Sequence, residues 1–448
     1  MKKKSVGIWG YGVVGASVEK YFTNQQATIH IMDEKYTDIA DKTENSSGRW
    51  YDEDAWGAFF DAVDFFIPSP GVDVTKFDKI PLEKMVTELD LFYQTWNKKI
   101  IGITGSVGKT TVTTFLSFFL EQYRSDVTTG GNIGKPMLEL LEDKTAKTAL
   151  LEVSSFQLEH TQQFKPDVTI WTNFYPNHLD RHKTAENYFL AKYQLIKRQT
   201  EDDLTIVPTS LIPWLEKYGY GKSRYVFLQD DDTATPENST VYFLRDSQLF
   251  KKTGTVTTHV IDLYSLPAIT HTHNWLIIAT TLSELNLLKN DFVTLAQQLT
   301  PVEHRMQTVI KTDRLHVIND SKSTTVASTE AAVTQFTGSN IILLLGGLSK
   351  GVDRTPLIEK IKEKVKHIIT FGKEAFTLQK ICIAHNVAST ACAELEPAIK
   401  AAYQKSLNTN KQMVILFSPS GSSFDLFSDY KERGHTFIEM MRQIIRTN

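Results

Sequence analysis

Apolar residues along this chain fall mostly in short β-branched runs, each closed by glycine, proline or small polar residues and followed by a stretch with helical spacing. Ser5 to Trp9 is the first such run. The turn Gly10-Tyr11-Gly12-Val13-Val14-Gly15 follows it, and Ala16 to Asn24 has a helix period. Thr28 to Met32 ends at Asp33, and Val63 to Ile67 is closed by Pro68-Ser69-Pro70-Gly71. The pattern predicts a small doubly wound unit. Asn97-Lys98-Lys99 reads as a polar joint. Beyond it the alternation resumes with strands at Thr148 to Val153 and Val168 to Thr172, and Asp230 to Thr240 reads as a polar surface loop. A further unit begins near Pro301, with a strand at Ile341 to Leu345, an amphipathic helix at Thr355 to Lys366, and strands at His367 to Phe371 and Gln412 to Phe417. The expectation is an α/β fold in three domains, at 1–96, 97–300 and 301–448.

The most specific stretch is Ile101-Gly102-Ile103-Thr104-Gly105-Ser106-Val107-Gly108-Lys109-Thr110-Thr111, with a helical segment from Val112 to Tyr123. A strand, a glycine loop, a lysine with a hydroxyl and then a helix cradle a nucleoside triphosphate. Backbone N–H groups and the positive helix end meet the phosphates, the lysine reaches the outer ones, and the hydroxyl reaches Mg²⁺. The pattern is not the usual one, because Ile103 stands where the first glycine is expected.

Gly10-x-Gly12-x-x-Gly15, trailed by Asp33 after the next strand, is a dinucleotide-type fingerprint. A diphosphate on a helix start with a ribose near an acid suits NAD and a UDP-sugar equally, so both stay open. Pro68-Ser69-Pro70-Gly71 lies at a strand's C-terminal end, where open α/β sheets bind ligands.

Composition narrows the field. A net charge of −3 gives no basic field for nucleic acid, and 41% hydrophobic with 23% charged residues is ordinary for a globular protein. Two cysteines, Cys382 and Cys392, rule out a disulfide framework and match no zinc spacing, which suits a reducing compartment. Lys2-Lys3-Lys4 mimics the start of a signal peptide, but Gly7, Gly10, Gly12 and Gly15 break the apolar run behind it. No apolar run approaches the roughly 18 residues of a membrane span.

Other polar groups sit at strand ends. Glu152 closes an apolar strand, where a carboxylate needs a cation such as Mg²⁺. His178 lies in Asn173-Phe174-Tyr175-Pro176-Asn177-His178, after another strand. Asn319-Asp320-Ser321-Lys322-Ser323-Thr324 reads as a ligand loop or, equally, as a helix cap by Asp320 or Ser321. Ser418-Pro419-Ser420-Gly421-Ser422-Ser423 again follows a strand.

In order along the chain, these motifs resemble the Mur ligases, ATP-dependent amide-forming enzymes of peptidoglycan precursor synthesis. The most specific pieces are Gly130-Gly131-Asn132-Ile133-Gly134, Glu152-Val153-Ser154-Ser155-Phe156-Gln157-Leu158-Glu159 and Asn177-His178-Leu179-Asp180-Arg181-His182. Glu303-His304-Arg305-Met306, Asn319 to Lys322, Gly346-Gly347-Leu348-Ser349-Lys350-Gly351-Val352-Asp353 and Ser423-Phe424-Asp425 resemble the branch that adds D-glutamate.

The resemblance implies a Rossmann-like N-terminal domain, a central P-loop-type ATPase domain and a Rossmann-like C-terminal domain. It implies that a cytoplasmic, monomeric enzyme uses ATP and Mg²⁺ to join D-glutamate to UDP-N-acetylmuramoyl-L-alanine. Gly12, Val13, Val14, Asp33, Ser69, Pro70 and Gly71, with Asn132 and Ser154, would then hold the UDP substrate. Gly105, Ser106, Gly108, Lys109, Thr110, Thr111, Asn274, Arg305 and Asp320 would hold ATP. Lys322, Thr324, Lys350, Ser423 and Tyr430 would hold D-glutamate. Thr110, Glu152, His178 and Lys192, the last as a carbamate, would face the metal, and Lys109, Lys192, His178 and Glu152 would carry the chemistry.

Three positions depart from the family pattern. Val107 replaces an Asn before the Gly-Lys pair, Ile277 stands where a second adenine-site Asn is usual, and Thr325 replaces another Asn. The first two motivate one alternative, a relative that binds nucleotide or UDP-muropeptide without turnover; a family member adding a different amino acid also stays open. The first glycine fingerprint motivates a third, an NAD-linked oxidoreductase.

Overall fold

Three β-sheets succeed one another along the chain in the computed structural model, which describes residues 4–34, 48–77, 79–231, 233–336, 338, 340–407 and 412–447. Lys2 and Lys3 lie outside the described residues. The first sheet is fully parallel, in the order Arg49–Tyr51, Thr28–Met32, Ser5–Trp9, Phe65–Pro68. The strand order reverses beside Ser5–Trp9, which makes that strand's C-terminal end the switch point of a doubly wound sheet. The helix after it is Val13–Thr23, three residues earlier than the apolar period suggests. Gly12 is its N-cap, so Gly15 lies inside the first turn, where a Cβ would meet the Gly10 carbonyl oxygen at 2.6 Å.

The second sheet has nine strands, with Lys99–Thr104 between Thr148–Glu152 and Val168–Trp171. Its far side ends in an antiparallel set, Thr240–Arg245, Gln248–Thr253 and Val256–Asp262, that the hydrophobic pattern does not announce. These strands are half-exposed and carry Lys, Arg and Thr, and the turn between the first two uses Asp246 and Ser247 at positive φ. Leu89, Phe92 and Trp96 pack into one core with Val6 and Ile31 of the first sheet, Ile100 and Leu151 of the second, and Leu138 of the short helical turn Met137–Glu142.

The third sheet runs Gln307–Lys311, Leu315–Asn319, Met413–Phe417, Ile341–Gly346, Val365–Phe371, Ser389–Cys392, parallel except for its first strand. Ile341–Gly346 is buried along its whole length, as a parallel strand covered on both faces must be. The helix expected over Thr355 to Lys366 ends at Ile361, and the following strand begins at Val365. Val365 pairs with Ile341, and this pairing outweighs the helical propensity of the lysine- and glutamate-rich segment. Neither Asp320 nor Ser321 caps a helix. The cap of Val326–Thr334 is Thr325, in a reciprocal capping box with Ser328.

By contact density the chain forms two compact units. One comprises Met1–Phe174, Phe189–Ser265 and Thr272–Val293, with the first two sheets. The other comprises Tyr175–Tyr188, Leu266–His271 and Thr294–Asn448, with the third.

Candidate functional site

The first unit gathers two polar clusters at strand ends. At the switch point of the first sheet, the glycine turn is stitched from both sides. Asp33 accepts the Tyr11 N–H at 2.5 Å, and the Ser69 hydroxyl donates to the Gly10 carbonyl at 2.6 Å. Gly10 holds φ +88°, and its Cβ would strike Val72 at 2.8 Å, so only glycine fits. Gly12 and Val13 are exposed, with Val13 at 73%, while Ser69 and Pro70 are half-buried beside the exposed Gly71. The turn thus presents Gly12, Val13 and Val14 at a helix N-terminus with Asp33 and Ser69 to Gly71 beside it. Asp33 reaches the turn's backbone directly, a tie the sequence motif does not disclose.

The second cluster surrounds the Gly105 to Thr111 loop. Gly105 has φ +149°, and a Cβ there would lie 1.9 Å from the Thr172 hydroxyl. The first intrahelical bond of Lys109–Tyr123 runs from Val112 N–H to the Gly108 carbonyl. The amides of Lys109, Thr110 and Thr111 therefore precede the helix's own ladder and point out of its N-terminus. Val107 does not loosen the loop. Asn173 accepts the Val107 N–H at 2.9 Å and donates to its carbonyl at 3.0 Å, and the Thr172 hydroxyl donates to the same carbonyl at 2.6 Å. The Ser106 N–H donates to the Asn173 carbonyl. Asn173 was not singled out in the sequence, although its place just after the strand Val168–Trp171 is a signal of the kind that marks ligand loops.

Lys109 Nζ donates to the carbonyls of Gly105 at 2.8 Å and Ser106 at 3.3 Å. Lys192, 1% exposed on helix Ala185–Lys197, donates to the same Gly105 carbonyl at 2.9 Å and to Thr104 Oγ1 at 3.3 Å. Burial, and next the charge of Lys109, hold Lys192 well below the usual lysine range, against the pull of Glu152. Glu152 is itself 1% exposed. One oxygen accepts from Asn132 Nδ2 at 2.7 Å, and the other is buried with no hydrogen-bond partner. Asn132 is further tied by its N–H to the Glu152 carbonyl. Ser154 caps the short helix Ser155–Leu158 through Gln157. Asn274 is buried against the loop, its Oδ1 so near that a Cβ on Gly108 would meet it at 2.8 Å. Ile277, in contrast, is fully buried in the core face of helix Thr272–Glu284.

The second unit collects the remaining residues. Asp320 is buried, accepts from the Ser418 hydroxyl at 2.8 Å and from the Met306 N–H at 3.3 Å. Burial pushes its carboxyl up to about 6, against the pull of Arg305 and Ser418. The Lys322 ammonium lies 5.1 Å from the Tyr430 ring centroid, and Lys350 donates to Thr324 Oγ1 at 3.5 Å. Ser423 is 3% exposed. Lys322, Thr324, Lys350 and Ser423 thus lie on strand-end loops of this unit, and Tyr430 opens the helix Tyr430–Thr447 beside Lys322. His178, at φ +55°, stands at the N-cap position of the short helix Leu179–His182 without a side-chain capping bond and belongs to this unit, where the Asp180 N–H donates to the Lys350 carbonyl at 3.2 Å.

Two buried arginines escaped the sequence reading. Arg433 bonds Ser321 and Gly421, and Arg354 bonds Gly346, Gly347 and Glu374. An arginine on an amphipathic helix reads as solvated, so the sequence held no signal for Arg433.

Known proteins fit this picture. Residues 103–261 match the model of the Mur ligase middle domain. The chain is 29% identical to the UDP-N-acetylmuramoylalanine--D-glutamate ligase of Fusobacterium nucleatum over 98% of this chain and 99% of that protein. It is 33% identical to the enzyme of the same name from Latilactobacillus sakei, over 80% of this chain and 78% of that one. A solved structure of a pseudomurein peptide ligase type C from Methanothermus fervidus superposes with a TM-score of 0.59 at 14% identity, covering 99% of this chain and all of that one (100%). An α/β fold of three successive sheets, a glycine loop backed by a buried carboxylate, and identity above 30% with a relative matched over most of its length lead to one assignment: the chain belongs to the Mur ligase family.

Proposed function

We propose that this protein joins D-glutamate to UDP-N-acetylmuramoyl-L-alanine with cleavage of ATP to ADP and phosphate, a step of peptidoglycan precursor synthesis. The likeness to enzymes of that name, over nearly the whole chain in one and over most of it in the other, supports the reaction. The observation that carries the chemistry is the buried, half-unpartnered Glu152 carboxylate beside two lysines at a glycine loop.

The substrate carboxylate must attack the γ-phosphorus of ATP. Two like charges about 4 Å apart repel by about 4 kcal/mol at an effective dielectric near 20, roughly three decades in rate. Lys109 and the amides of Lys109, Thr110 and Thr111 offset that repulsion. The bond from γ-phosphorus to the bridging oxygen breaks, ADP leaves, and an acyl phosphate remains. The D-glutamate amine then attacks the acyl carbon, giving the amide and phosphate and losing a proton.

The donor set fits Mg²⁺. Glu152 keeps a buried oxygen without a protein partner, Thr110 offers a hydroxyl, and both are hard oxygen ligands. Lys192, as a carbamate, completes the proposed set within this unit, while His178, which the resemblance also gives to the metal, belongs to the other compact unit. When bound, Mg²⁺ supplies charge neutralisation between the phosphates and the attacking carboxylate. Asn132 orients Glu152 through its 2.7 Å bond. On this reading Gly12, Val13, Val14, Asp33, Ser69 to Gly71, Asn132 and Ser154 hold the UDP substrate, Gly105, Ser106, Gly108, Lys109, Thr110, Thr111 and Asn274 hold ATP, and Lys322, Thr324, Lys350, Ser423 and Tyr430 hold D-glutamate; Arg305 and Asp320, which the resemblance adds to the ATP set, belong to the other compact unit. One sheet in each of 1–96, 97–300 and 301–448 supports the three-module division.

Among the described residues, no helix is long and apolar enough to cross a membrane. A monomer working in the cytoplasm on soluble nucleotide substrates is the setting this reading gives. Phosphate release from ATP that requires both UDP-N-acetylmuramoyl-L-alanine and D-glutamate tests the proposal; binding of both without release would overturn it.

A further inference from the structure

Arg433 is among the largest fully buried side chains, at 0% exposure, on a helix that is otherwise strongly amphipathic, Tyr430–Thr447. Its Nε donates to Ser321 Oγ at 3.1 Å, one terminal nitrogen to the Gly421 carbonyl at 3.0 Å, and the other to the Ser321 carbonyl at 2.6 Å. Ser321 Oγ in turn donates to the Tyr430 carbonyl at 2.8 Å. Gly347 packs on the same guanidinium, where a Cβ would lie 3.0 Å from a terminal nitrogen and 2.2 Å from the Ser422 carbonyl oxygen. One planar group therefore fixes three strand-end loops. They carry Lys322 and Thr324, Lys350, and Ser423, each within a few residues of its contact.

All the acceptors are neutral. Among the described residues no carboxylate forms an ion pair with Arg433, whereas the neighbouring buried Arg354 has Glu374 at 2.8 Å. Burial lowers the Arg433 pKa to about 9, opposed by the more distant Asp425 and Asp320, so the group stays cationic at neutral pH. A buried cation solvated only by neutral carbonyl and hydroxyl dipoles is costly, and it carries its field into the adjoining loops with little screening. An anionic ligand at those loops lowers that cost.

We propose that Arg433 is a positioning residue for the amino-acid substrate. It sets the register of the Lys322, Lys350 and Ser423 loops, and it supplies buried positive potential beneath the site for a dicarboxylic amino acid. This rests on the ligase reading above and assigns the residue behind its preference for a dianionic acceptor.

The test is steady-state kinetics on the full chain with Arg433→Lys, Arg433→Met and Ser321→Ala, alongside thermal midpoints. Arg433→Lys keeps the charge and loses the planar fork; Arg433→Met loses both. The KM for D-glutamate should rise about tenfold in Arg433→Lys and about a hundredfold in Arg433→Met, with the KM values for ATP and the UDP substrate within about twofold of the parent. Ser321→Ala, which leaves the cation in place, should raise the D-glutamate KM about threefold. A purely structural role predicts a fall in kcat or in all three KM values together, with Lys and Met alike, and that result overturns the proposal. So does an unchanged D-glutamate KM in folded Arg433→Lys and Ser321→Ala, which decide the matter if Arg433→Met does not fold. A parent protein that releases no phosphate in response to D-glutamate would instead overturn the ligase reading itself.

Discussion

Lys192 and Lys109 donate to the same oxygen, the carbonyl of Gly105, at 2.9 and 2.8 Å. Two ammonium groups on one carbonyl repel, and Lys192 is the buried one. Burial and Lys109 together favour its neutral amine. A neutral lysine amine is a nucleophile toward carbon dioxide. The proposed carbamate, formed when the amine attacks carbon dioxide and loses a proton, would be an anion that turns the repulsion by Lys109 into attraction and offers oxygen ligands beside Glu152.

Lys192→Ala is therefore expected to lose about a hundredfold or more in ligation, and short carboxylates such as formate or acetate should restore part of it. The intact mass of the native protein, recorded under carbon dioxide, should show the added carboxyl. Full activity in Lys192→Ala, or a plain amine in the working complex, would remove the carbamate from the account.

Glu152→Gln keeps the shape and the bond to Asn132 but removes the charge facing the unpartnered position. The Mg²⁺ concentration for half-maximal activity should rise about tenfold to a hundredfold. Chelation of Mg²⁺ should abolish activity in the parent. A Mg²⁺ dependence unchanged in Glu152→Gln would show that this carboxylate does not serve the metal.

Asn173→Ala leaves the N–H of Val107 without its acceptor and withdraws one donor from its carbonyl. Each unmet buried group costs about 1–3 kcal/mol, so the thermal midpoint should fall by several degrees and the KM for ATP should rise. Retention of both would mean that Thr172 alone holds the loop.

Much of this was legible in the sequence, and the exceptions share a cause. The glycine turns at Gly10 and Gly105 and the buried strand Ile341–Gly346 are local features, written in consecutive residues. Asn173 acts on Val107 from 66 positions away, and Arg433 on Ser321 from 112, so no window of sequence displays either contact. The helix expected to reach Lys366 stops at Ile361 because Val365 pairs with a distant strand. Val107 and Ile277 looked like defects, yet one is held by its backbone and the other lies in the core.

Glu88 supplies a prediction about pH. It is 4% exposed, and burial raises its carboxyl from 4.5 to about 7, against the backbone N–H groups of Leu138 and Met137. The folded state thus holds this proton more tightly than the unfolded state. The stability it contributes is present in full below about 4.5 and is lost as pH rises through about 7. The loss is on the order of 3 kcal/mol. Glu88→Gln should remove it, so the midpoint of the variant relative to the parent should climb between those pH values. A constant difference across that range would contradict the assignment.

The central claim is that this chain couples ATP cleavage to amide formation on a UDP-linked muramoyl substrate, and an amino-acid panel measures it directly. Purified protein with ATP, Mg²⁺ and UDP-N-acetylmuramoyl-L-alanine should release phosphate when D-glutamate is added, and little with L-glutamate, L-lysine or D-alanine; Lys109→Ala should reduce that release by about a hundredfold to a thousandfold. Phosphate release that ignores the amino acid, or none under any combination, would contradict it.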